Sequence, residues 1–360
     1  MAHSIDAIYM VEASPELRMA QKNLLCGEDA PMSESKVGYH SICKYTSLPV
    51  VWTETIKSIP ISAPPVPGSR DVPRPTDPPA DPKNTPFIVA HEFFDALPIH
   101  AFQNVEVPAS QQDNRAASSK TTKPTRQWRE MLVAPAPPGA THDSLGTPLS
   151  QRADSPVPDF QLSLAPGPTR HSLHLPESSA RFRALRAVPD ALVEICPDAA
   201  LYATDFAARI GGSSKHPKAR ASGAALVLDY GPGDGAVPAG SLRGIRRHRR
   251  VSPFAQPGLV DLSADVDFAA VAEAAARASD AVEVHGPVDQ AAFLTAMGGA
   301  ERADALARAA GPKEADVTRA WGRLVDRGPG GMGKLYKALA IVPENEGKRR
   351  PVGFGGDVVE

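Results

Sequence analysis

The sequence predicts an α/β protein, on three observations. Short apolar runs bounded by turn signals recur along the chain, the pattern of strands buried in a parallel sheet. Helical periodicity lies between them, which is the alternation of α/β folds. Three of the runs stop at acids: residues 5–11 at Glu12, residues 87–90 at His91-Glu92, and residues 224–228 at Asp229. In open α/β sheets, ligands collect at those carboxyl ends.

Taken in order, residues 5–11 read as a strand. Ser14 is a good N-cap and Pro15 suits the first helical position. Leu17, Ala20 and Leu24 follow at helical spacing, and Gly27 stops the helix. Glu12 sits between strand and helix, where an acid often hydrogen-bonds a ribose in nucleotide-type folds. On local pattern alone, the better reading is an acid favouring the helix N-terminus. Residues 31–59 hold one expected strand, Pro49-Val50-Val51-Trp52. Residues 60–86 are crowded with proline and read as an exposed linker.

The chain is organised around Phe87-Ile88-Val89-Ala90-His91-Glu92-Phe93-Phe94-Asp95-Ala96-Leu97-Pro98. A strand expected to be buried on both faces runs into an acidic turn with aromatic neighbours. A second short apolar run follows at residues 99–105. Residues 108–158 read as a low-complexity insert, interrupted by one strand at 127–133 whose expected hairpin partner is 160–164.

Order returns near residue 188 with an apolar run carrying Glu194, a helix over 199–210, and the strand ending in Asp229 and Tyr230. A Gly231-Pro232-Gly233 turn follows. Residues 240–330 read as mainly helical. Within them, the basic run 242–250 is a solvated face or a contact surface for an acidic partner. Residues 335–342 form a last strand.

Composition narrows the classes. A net charge of −2 argues against a general nucleic-acid binder. The three cysteines, Cys26, Cys43 and Cys196, have no metal-ligand spacing and no even framework, which fits a reducing compartment and small core residues. No run of 18 apolar residues marks a membrane span.

The stretch His91-Glu92-Phe93-Phe94-Asp95-Ala96-Leu97-Pro98-Ile99-His100 resembles the hallmark of the MidA-like methyltransferases, the mitochondrial complex I assembly factor seven family. Supporting stretches occur in the family's order: Val11-Glu12-Ala13-Ser14-Pro15, Trp128-Arg129-Glu130, Leu228-Asp229-Tyr230-Gly231, Ser241-Leu242-Arg243-Gly244, the run from Asp261 to Phe268, the run from Gln290 to Leu294, and Met332-Gly333-Lys334-Leu335-Tyr336-Lys337. The resemblance implies one Rossmann-like, S-adenosylmethionine-dependent methyltransferase domain over residues 1–360, broken by the two Pro-rich inserts.

It implies symmetric dimethylation of an arginine on the 49-kDa subunit of complex I, in the mitochondrial matrix, in the service of complex I assembly. Glu92 and Asp95 become the candidates to clamp the substrate guanidinium, since carboxylates bind it in bidentate fashion. His91 would orient a carboxylate. Glu12 would accept from the ribose hydroxyls. Asp229 and Tyr230 would line the pocket or merely end a strand. The run from Arg246 to Arg250 would steer or seat the substrate protein, with a solvated face as the simpler reading.

In the family, a first strand and a Gly-rich cofactor loop precede the element bearing the ribose acid. Here Met1 stands eleven residues before Glu12. The expectation is therefore an N-terminally truncated member without that strand, loop or import presequence. A catalytically inactive assembly or scaffold protein is the second expectation.

Overall fold

The computed structural model describes residues 5–61, 85–107, 125–152, 156–329 and 331–356. Most of the expected linker and the first part of the second expected insert lie outside the described residues. The chain divides into two compact units, Met1–Thr85 with His216–Ala219, and the remainder.

In the first unit, β1 (Ile8–Val11) leads to α1 (Pro15–Cys26), β2 (Ser33–Glu34), β3 (Tyr39–Ile42) and β4 (Pro49–Thr53). The sheet order is β1-β4-β3-β2, with β1 parallel to β4 and the other pairs antiparallel. Residues 31–59 thus hold three strands where one was expected. The two extra strands are too short to show an alternation, and pairing defines them: β3 onto β4 and β2 onto β3. Helix α1 starts and stops as its caps predict: Ser14 Oγ accepts from Leu17 N, and Gly27 follows at φ 107°. Its inner face is Arg18, Lys22 and Cys26. Leu17 and Leu24 are 56% and 67% exposed, so helical spacing marked the helix but not its buried side. Cys26 and Cys43 pack with Val50 and Trp52 in the core of this unit, the role expected of small cysteines.

The second unit contains β5 (Phe87–His91), β6 (His100–Val107), β7 (Thr125–Pro135), β8 (Phe160–Leu164), α2 (Arg170–His174), α3 (Ala180–Ala184), β9 (Leu192–Ile195), α4 (Pro197–Gly211) and β10 (Ala224–Tyr230). It continues with β11 (Arg243–Arg246), β12 (Arg249–Val251), β13 (Asp261–Ser263), α5 (Phe268–Ala278), β14 (Val282–Asp289), α6 (Gln290–Ala296), α7 (Gly299–Ala309), α8 (Glu314–Val325) and β15 (Tyr336–Pro343). Its three sheets run β14-β15-β10-β5, β8-β7-β6-β9 and β12-β11-β13.

In the first of these sheets β5 is parallel to β10, while β15 lies antiparallel between β10 and β14. Val227, Leu339 and Ile341 on the two middle strands are fully buried. Helix α4 lies against β15 and α5 against β14, and the two helices pack on each other. Phe206 and Ile210 of α4 and Phe268 and Val271 of α5 are buried.

Strand β5 departs from the expectation of burial on both faces. Phe87 and Val89 are 79% and 69% exposed, whereas Ala90 is buried. β5 is an edge strand of its described sheet, hydrogen-bonded along β10 alone, so a continuous apolar run here does not mean two covered faces. The hairpin of β7 with β8 forms in the expected place, pairing Met131 with Leu164. Residues 240–330 open on the small β11–β13 sheet before turning helical. The basic run bends there into a hairpin, with Arg247 and His248 at φ 49° and 61° in its tip.

Candidate active site

The centre of the site is the turn that follows β5. Because Leu228 lies opposite His91 in the parallel pairing, Asp229 comes level with the next residues of the neighbouring strand. Its Oδ2 accepts from the backbone N–H groups of Phe93, Phe94 and Asp95 at 3.1, 2.9 and 3.3 Å. Its Oδ1 accepts from Tyr230 N at 3.0 Å. Asp229 is fully buried. Burial pushes its carboxyl up to about 7, the nearby Asp95 adds to this, and the N–H bonds oppose it. The turn is anchored further by aromatic edges, Phe93 against Tyr202 at 4.8 Å and Phe94 against Phe206 at 6.0 Å, both partners on α4.

Glu92 is the first residue of this turn. It sits at φ 48°, a conformation costly for a side chain larger than glycine's and one that collects at functional sites. Its N–H donates to Leu228 O at 3.0 Å, and its Oε1 accepts from the Tyr336 hydroxyl at 2.7 Å. The residue is otherwise exposed. Tyr336 on β15 is the cross-strand neighbour of Tyr230, with ring centroids 4.3 Å apart. Burial pushes the Tyr230 hydroxyl up to about 12 and that of Tyr336 higher still, so both stay protonated as donors. The Arg243 guanidinium lies 5.0 Å from the Tyr230 ring centroid and pairs with Asp265 at 2.6 Å.

Asp95 is buried behind Glu92. Its Oδ2 accepts from Ser263 Oγ at 2.8 Å and its backbone carbonyl from Ala264 N at 2.9 Å, while Oδ1 has no partner among the described residues. Burial raises its carboxyl, the Ser263 bond opposes this, and the charge of Glu92 adds to it. A buried carboxyl that holds its proton can donate a hydrogen bond as well as accept one.

The structure therefore brings Glu92, Asp95, Asp229 and Tyr230 together. The His91 ring is exposed and forms no hydrogen bond with these carboxylates among the described residues. The group that fixes Glu92 is Tyr336, whose role no local sequence signal marks. Ser263, which bonds Asp95, and Arg243, over the Tyr230 ring, carry no such signal either.

Glu12 belongs to the first unit. Its Oε1 accepts from Ser14 N at 2.9 Å and its Oε2 from Gln21 Nε2 at 3.0 Å, and Gln21 in turn accepts from Trp52 Nε1 at 3.0 Å. A carboxylate offers about four acceptor sites, so Glu12 retains capacity for a sugar diol. The Gly231-Pro232-Gly233 turn does not present an open cradle. A Cβ on Gly231 would strike the Val266 carbonyl, and one on Gly233 would lie 2.7 Å from Lys337 Cε. These glycines admit the chain's own atoms.

A mixed α/β sheet with its acids gathered beyond the strand ends is the architecture of a Rossmann-like methyltransferase. The family described as "Putative S-adenosyl-L-methionine-dependent methyltransferase" matches residues 1–288, and the chain belongs to it. The cofactor of that family is S-adenosylmethionine. The chain is 27% identical over 340 residues to the mitochondrial protein arginine methyltransferase NDUFAF7 of Danio rerio, covering 93% of this chain and 61% of the relative. It is 28% identical to the Mus musculus protein of the same name, covering 94% and 59%. A crystal structure from Burkholderia thailandensis, bound to S-adenosyl-homocysteine, shares the fold with a TM-score of 0.58 at 19% identity, covering 98% of this chain and 66% of that one. The chain spans about three-fifths of the length of the curated relatives it matches.

Proposed function

We propose that this chain carries out S-adenosylmethionine-dependent methylation of a protein arginine. The fuller reading is symmetric dimethylation of an arginine on the 49-kDa subunit of complex I, in the mitochondrial matrix, during complex I assembly. The names of the relatives support arginine methylation and a mitochondrial setting. The finer part rests on the family resemblance of the ordered stretches. The observation that carries it is Glu92, held by Tyr336 at an exposed strand end in a strained backbone conformation.

The cofactor, when bound, supplies a methyl group on a sulfonium. The chain's own residues align the acceptor and balance its charge. Glu92 accepts guanidinium N–H bonds and fixes the plane of the group. Tyr336 holds the Glu92 carboxylate in one rotamer. Asp95, turned toward Ser263, places a second carboxyl behind it and can take part in proton movement through Oδ1, which has no partner among the described residues. Glu12 is the residue suited to hold a ribose diol.

A second reading, an assembly protein without turnover, is favoured by the filled faces of Gly231 and Gly233, which leave that turn unable to cradle a ligand. Calorimetry with S-adenosylmethionine, followed by methyl transfer to an arginine-bearing peptide, separates the two. The expected result is cofactor binding, with turnover lowered about tenfold or more by Glu92→Gln at unchanged cofactor affinity. Binding without transfer selects the assembly reading. Loss of cofactor binding in Glu92→Gln removes Glu92 from the acceptor side.

A further inference from the structure

Away from this turn, the second unit gathers a set of metal-ligating groups that no sequence spacing announces. His100 opens β6, Glu130 lies in β7, and His171 belongs to α2. Their ligand atoms all lie within 4.8 Å of one another. Glu130 Oε1 is 2.8 Å from His100 Nδ1 and 3.2 Å from His171 Nδ1. The two imidazole centroids are 4.2 Å apart. Atoms bound tetrahedrally to one zinc ion at the usual bond lengths stand about 3.3 Å apart, which the two carboxylate–imidazole distances already approach, so closing the two imidazole nitrogens on the ion is the adjustment required.

We propose that His100, Glu130 and His171 form a binding site for one divalent cation of the zinc class. Two imidazoles and one carboxylate are a donor set suited to that class. The second oxygen of Glu130 is already held by the Thr169 hydroxyl, which leaves Oε1 turned to the imidazoles. Such a partner behind a ligating carboxylate is what orients a metal ligand. The Glu130 side chain is 8% exposed, His100 is 29% and His171 is 51%, so the carboxylate sits at the floor and His171 at the mouth. Burial works against the Glu130 charge, but bonds from Thr169, His100 and His171 outweigh it and hold its carboxyl below the ordinary range. Without the ion, the imidazoles bond the same oxygen and keep the ligands gathered. On binding, each imidazole ligates as its neutral tautomer: the Nδ1 proton is exchanged through solvent for one on Nε2, and the freed Nδ1 lone pair goes to the ion. Three protein ligands leave a position for water, and the ion ties β6, β7 and α2 together.

The test uses tag-free protein freed of metal by chelation and titrated with Zn²⁺, and separately with Co²⁺ to read the visible d–d bands. The expected result is one equivalent bound by the wild type, a rise in Tm on binding, and affinity lowered at least about tenfold by His171→Ala. His171 is half exposed, so its removal leaves the core intact, and circular dichroism checks this. Glu130→Gln keeps the side-chain volume and a hydrogen-bond acceptor, and is expected to weaken binding to the same degree. Failure of the wild type to take up either ion overturns the proposal, as does equal uptake by His171→Ala and the wild type.

Discussion

Glu12 and Glu92 both stop a strand, and they are held in opposite ways. Glu12 is satisfied within its own neighbourhood, by Ser14 N two residues on and by Gln21 nine residues on. Glu92 has its carboxylate fixed by Tyr336, 244 residues away, and its turn fixed by Asp229, more than 130 residues away. The first arrangement needs only a strand and a capped helix. The second exists only once β5, β10 and β15 are paired in one sheet. A strand-end acid can thus be a local cap or the product of the whole fold, and its sequence setting alone does not separate the two.

Asp229 gives the sharpest way to break this difference. Asp229→Ala leaves three backbone N–H groups of the Glu92 turn without their acceptor. The expected loss of stability is on the order of 3 kcal/mol or more, read from urea unfolding, with Asp229→Asn costing less because one acceptor oxygen remains. Glu12→Ala removes two partly exposed hydrogen bonds and should cost about 1 kcal/mol. Equal losses in the two variants would contradict the contrast between local and global support.

The same carboxyl makes stability depend on pH. Its value rises from 3.8 in the unfolded chain to about 7 in the fold, so the folded state holds the proton more tightly. The stabilisation is therefore full below about pH 4 and is lost as pH rises toward 7. Asp95, also raised by burial, acts in the same direction. Urea midpoints measured across this range should fall with rising pH in the wild type and fall less steeply in Asp229→Asn, where Asp95 remains.

Much of this fold was legible in the sequence where the signal is local. The cap at Ser14, the stop at Gly27, the β7–β8 hairpin and the strand bearing Asp229 lie where residue chemistry puts them. The short strands β2 and β3 were not legible, because two to four residues cannot show a period and their definition comes from pairing, β3 with β4 and β2 with β3. The exposure of Phe87 and Val89 was not legible either, since an apolar run does not report how many faces its sheet has covered. In the candidate site, the acids stood out because they interrupt apolar runs. Tyr336 did not, because a tyrosine at the start of an apolar strand looks like core until β15 is known to lie beside β10. His100, Glu130 and His171 are spread over 72 positions and meet only through pairing of β6 with β7 and the return of the chain into α2.

Tyr336→Phe is the finest cut through the comparison. It deletes one hydroxyl and leaves the ring that packs on Tyr230, so stability should change by no more than about 1 kcal/mol. Glu92 keeps its strained backbone and its place in the turn but loses the bond that selects its rotamer. If that bond orients the carboxylate for the substrate, turnover should fall about fivefold at unchanged cofactor affinity, a loss of about 1 kcal/mol in the transition state. An unchanged turnover would mean that the Asp229-bound turn alone places Glu92, and that the contact from β15 serves packing. A loss confined to cofactor affinity would instead move Tyr336, and the carboxylate it holds, to the cofactor side of the site.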